Sequence, residues 1–172
     1  MVERGNARSW RFLEATGTLD RALPELAAAL RRRRNDPLDL DGDGPYRWRA
    51  LERLRMLDPG NPLSDEARRL EHPVALLMAA LFVEALDAEP DPIATARAIA
   101  DRIGLDRVAV DEALALVADR HLLWAATRRT GALTEDNVLA LAAHLGTPDR
   151  ARAAYVLAAL RDEGHETWER LR

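Results

Sequence analysis

A chain of 172 residues is long enough for one domain with a substantial core and too short for two. With 48% hydrophobic and 31% charged residues it has the make-up of an ordinary globular protein, and the absence of cysteine excludes disulfides, thiolate metal sites and cysteine nucleophiles. The net charge of -4 argues against a nucleic-acid platform, and a GC-rich coding sequence explains why all 25 basic residues are arginine better than an anion-binding role does.

From the N-terminus, MVERGNARSW is charged and has no apolar stretch of the kind that marks a secretory leader, so a cytoplasmic location is expected. ARSWRFLEAT and LDRALPELAAALRRR read as helices, with Pro24 restarting the second around a turn. At the end of the second helix, RRRRND (Arg31 to Asp36) predicts a solvated terminus. Four arginines around a helix end point in different directions and favour the C-terminal dipole, so an anion patch is not expected.

The irregular NDPLDLDGDGP follows. Within it DLDGDG matches the opening of a calcium loop, with Asp39, Asp41 and Asp43 at positions one, three and five and Gly44 at the turn. The twelfth position, which should supply a bidentate glutamate, is Ala50. An exposed Asp/Gly turn is the preferred reading and a calcium site the alternative. YRWRALERLRML is helical, and DPGNPLSDEARRL is a Pro/Gly linker with a short capped helix from Ser64.

Pro73 opens a central helix over 73–88, expected to be the most buried because Val74 to Val83 is apolar nearly all round. That run is much shorter than the ~20 residues of a membrane span. DPIATARAIADRIG runs from Asp91 to Gly104, and Asp106 then caps RVAVDEALALVADRHLLW. There Val110, Ala113, Leu114, Val117, His121 and Trp124 recur at the helical period. LTEDNVLALAAHLG is bounded by Thr134 and Gly146, and TPDRARAAYVLAALRDEG by Thr147, Pro148 and Gly164. No strand-like alternation of useful length appears. The expectation is an all-α fold of about eight helices in one domain, with N-terminal helices and the Asp/Gly loop over 1–45 and a core over 46–172. Trp10, Trp48, Trp124 and Trp168 are spread along the chain and read as core anchors.

Four segments in order resemble the HD domain of the bifunctional PII-protein uridylyltransferase and uridylyl-removing enzyme. They are LPEL with the irregular stretch and helix after it, HPVALLMAALF, DRHLLWAATRR, and HLGTPDRARAAYVLAAL followed by Trp168. The resemblance implies an HD-like bundle connected with PII signalling. It also fixes where that family's metal ligands would fall. The first histidine falls at Tyr46 or Pro45, the His-Asp pair at Val83 and Glu84, and the last aspartate at or near Ala159. Of a His-His pair, Arg120 replaces the first member and His121 remains.

An HD site holds a divalent metal with imidazole and carboxylate, and the metal activates water for attack on a phosphodiester. Valine and alanine cannot ligate, and Arg120 would repel a cation. The resemblance thus implies a degenerate phosphohydrolase, a pseudoenzyme with no catalytic residue, metal or cofactor. Its role would be regulation or interaction with a protein partner, without nucleic acid or membrane. The alternative is a residual phosphohydrolase rebuilt around His121, Glu84 and Asp39, Asp41 and Asp43. His121 reads as a packed helix residue in preference to a ligand, and Glu84 as structural because no second titratable group is placed beside it. His144 suits the last turn of its helix, and His72 and His165 have no partner at ligand spacing.

Overall fold

Helix caps and stops written into the sequence set the architecture. The structure, a computed structural model, describes residues 5–34, 44–128 and 134–161. Among the described residues there are eleven α-helices, one 3-10 turn and no strand. In chain order the elements are α1 (Ala7–Ala15), α2 (Thr18–Ala22), α3 (Pro24–Arg34), the 3-10 turn (Gly44–Tyr46), α4 (Arg49–Arg55), α5 (Pro62–Arg68) and α6 (Pro73–Ala85). They continue with α7 (Pro92–Ile103), α8 (Arg107–Ala118), α9 (Leu122–Arg128), α10 (Glu135–Leu145) and α11 (Pro148–Arg161). The expected all-α fold is the one observed.

The capping chemistry holds where the sequence marks it. Asp91 accepts the Ala94 N–H at 2.9 Å, Asp106 accepts from Val108 and Ala109, and Thr134 accepts from Asn137. Each side chain satisfies donors that the first turn leaves orphaned. Gly104 ends α7 at φ 70°, a left-handed cap that only glycine adopts without strain.

Four boundaries differ from expectation: α4 runs only from Arg49 to Arg55 within the stretch from Tyr46 to Leu57, and the other three have local reasons. α5 begins at Pro62 and not at Ser64, because the Asn61 side chain accepts the Leu63 N–H at 2.9 Å and sets the cap earlier. The central helix stops at Ala85, and Leu86 to Ala88 form a turn. The long run after Asp106 breaks at Asp119 to His121. There the Arg120 and Leu122 N–H groups bond to Val117 and Asp119, three residues back, in place of the four-residue α pattern.

Buried residues from Trp10 to Leu160 form one contiguous core that includes the N-terminal helices. α6 contributes nine of them, more than any other helix, and Leu77 is partly buried. It packs against α3, α4, α8 and α11. The rings of Trp10 and Trp48, each 2% exposed, meet edge to face with centroids 4.4 Å apart. The side chain of Trp124, and Trp168, lie outside the described residues.

α10 is the contrasting case. Val138 and Leu139 are 47% and 60% exposed, and the helix rests mainly on α11. Leu139→Ser is therefore expected to change the unfolding free energy by less than about 0.5 kcal/mol, the range of ordinary surface substitutions. In thermal unfolding that is a shift of no more than about 2 °C.

Candidate functional site

α11 packs against α4, α6, α8 and α9, and this brings together the elements that carry Val83, Glu84, Arg120, His121 and Ala159. Tyr46 belongs to a separate group. Its phenol donates to the Glu14 carboxylate, and the Arg34 guanidinium donates to both, reaching Glu14 at 2.7 Å and lying 5.5 Å over the Tyr46 ring. Burial, reinforced by the hydrogen bond to Glu14, pushes the Tyr46 hydroxyl up to about 12. Burial also acts to raise Glu14, but the hydrogen bonds from Tyr46 and Arg34 outweigh it and hold that carboxylate low. Tyr46 thus stays neutral and ties the 3-10 turn to α1 and α3. Its neighbour Pro45 is buried as well.

Val83 and Ala159 are wall residues, 2% and 6% exposed. Between them in role, though not in chemistry, stands Glu84. Trp48, at the N-cap of α4, has no side chain able to cap. The Glu84 carboxylate does it from another helix, with Oε1 accepting the Ala50 N–H at 3.2 Å. The Glu84 carbonyl accepts from Arg33 at 2.9 Å. Its Oε2 is buried with no hydrogen-bond partner. Burial dominates and raises the pKa of Glu84, against the opposing pull of the Ala50 N–H and of Arg33, Arg161 and Arg49.

This shift has a consequence for stability. A carboxylate whose pKa is raised on folding binds its proton more tightly in the native state. It costs no stability below its ordinary value of 4.5, and the cost grows as pH rises through the raised value. Glu84→Gln keeps an acceptor for Ala50 but cannot ionise. The variant should gain stability relative to the natural chain as pH rises from about 4.5 and then level off. Urea unfolding across that range checks it, and a constant difference would exclude this origin for the shift.

The other charged groups around Glu84 are mostly arginines, with Asp87 the opposing carboxylate. Arg161 donates to the Arg120 carbonyl at 3.1 Å; burial lowers its pKa, while the charges of Asp87 and Glu84 oppose that. Arg120 donates to the Val117 carbonyl at 3.1 Å, closing the end of α8. His121 is exposed on the turn before α9 and is not a packed helix residue, because α8 has already ended. Partial desolvation lowers its proton affinity, and Arg120 and Arg161 lower it further. Among the described residues no group of three or more His, Asp or Glu could hold a metal ion. Asp39, Asp41 and Asp43 lie outside the described residues.

Several contacts had no sequence signal. The four arginines closing α3 fan outward, as expected, but each has a partner: Asp20 for Arg31, Glu89 for Arg32, the Glu84 carbonyl for Arg33 and Glu14 for Arg34. Glu84, read as isolated, lies within the field of three arginines. His72, which has no partner at ligand spacing in the sequence, faces Glu112 of α8 at 3.9 Å. Asp119 takes both His144 at 2.9 Å and Arg150 at 2.5 Å, pinning the α8–α9 turn to α10 and α11. These partners sit on other elements at unrelated spacings, so no local pattern reveals them. His165 lies outside the described residues.

Comparison with protein-family models, curated proteins and solved structures finds no match to this chain. The described residues include no helix long and apolar enough to cross a membrane.

Proposed function

We propose that the chain is a non-catalytic, HD-like helical domain related to PII uridylyltransferase/uridylyl-removing enzymes, with a regulatory or protein-interaction role in the cytoplasm. The observation that carries this reading is Glu84. At the position where the resemblance calls for a metal-binding aspartate, the carboxylate caps α4, and its charge neighbours are Arg33, Arg49 and Arg161. Two carboxylates, Glu84 and Asp87, set among several guanidinium groups are a poor place for a divalent cation. Val83, Ala159 and Tyr46 act as wall and tie, which leaves the frame serving packing. The residual phosphohydrolase reading would ask Glu84 and exposed His121 to hold a metal together with Asp39, Asp41 and Asp43, which lie outside the described residues; Glu84 and His121 alone would leave it mostly water-bound.

A metal titration followed by melting temperature tests the proposal. A ligand that binds only the native state must stabilise it, so millimolar Mn²⁺ or Zn²⁺ is expected to shift the melting point by no more than about 2 °C. A larger, saturable rise that disappears in His121→Ala would show a rebuilt site.

A further inference from the structure

We draw no further inference here: the strongest candidate, the outer face of α10 on which Val138 and Leu139 stand exposed, rests on apolar exposure alone, and nothing in the structure shows what covers it.

Discussion

Phe82→Ala is expected to cost about 3–5 kcal/mol of stability, the range for deleting a buried aromatic ring from a core that relaxes only in part. Phe82 is 1% exposed in the middle of the core, on the helix that packs against α3, α4, α8 and α11. Its neighbours are held by caps and helix contacts on several sides, so they cannot all move in to fill the space. The Leu86 N–H to Phe82 carbonyl bond that ends α6 is made by backbone and survives the substitution. For a chain of this length each kcal/mol corresponds to about 2–4 °C, which places the melting point roughly 6–20 °C lower. Thermal and urea unfolding followed by circular dichroism measure it. A loss below 1 kcal/mol would mean that α6 is not the centre of the core.

Glu84→Ala should cost about 1–2 kcal/mol near neutral pH, while Glu84→Gln costs little or stabilises. Alanine leaves the Ala50 N–H without its acceptor, and with it α4 without a cap, a loss of about 1–2 kcal/mol. It also removes the counter-charge of Arg33 and Arg161. Against these losses stands one gain, the relief of a buried carboxylate whose Oε2 has no partner. Glutamine retains the cap and also removes the buried charge. Equal losses in the two variants would mean that the charge of Glu84, and not its cap to α4, is what the fold requires.

Much of the fold was legible because it rests on local chemistry. Asp91, Asp106, Thr134 and Gly104 announce helix ends by their own residue types, and the apolar run after Pro73 marks the central helix by composition. Boundaries failed where tertiary contacts intervene. The continuous period from Val110 to Trp124 gives no hint that Asp119 is held by His144 and Arg150 and that the helix stops there. The candidate site was less legible still. Its positions were chosen through resemblance, and that Val83 and Ala159 offer no metal donor is visible in the letters themselves. The role of Glu84 is not, because it depends on Ala50, 34 residues away, and on arginines from three other helices. The exposure of His121 follows from a helix break that its periodic spacing conceals.

The central claim is that the positions of a metal site have become structural, and the most direct measurement is made on the purified natural chain. Elemental analysis should find well under one divalent metal per chain. Bis-p-nitrophenyl phosphate, incubated with the protein and added Mn²⁺, should hydrolyse no faster than in buffer. Stoichiometric metal together with turnover that His121→Ala abolishes would contradict the account, because it would require a working metal centre in the field of Arg33, Arg49, Arg120 and Arg161.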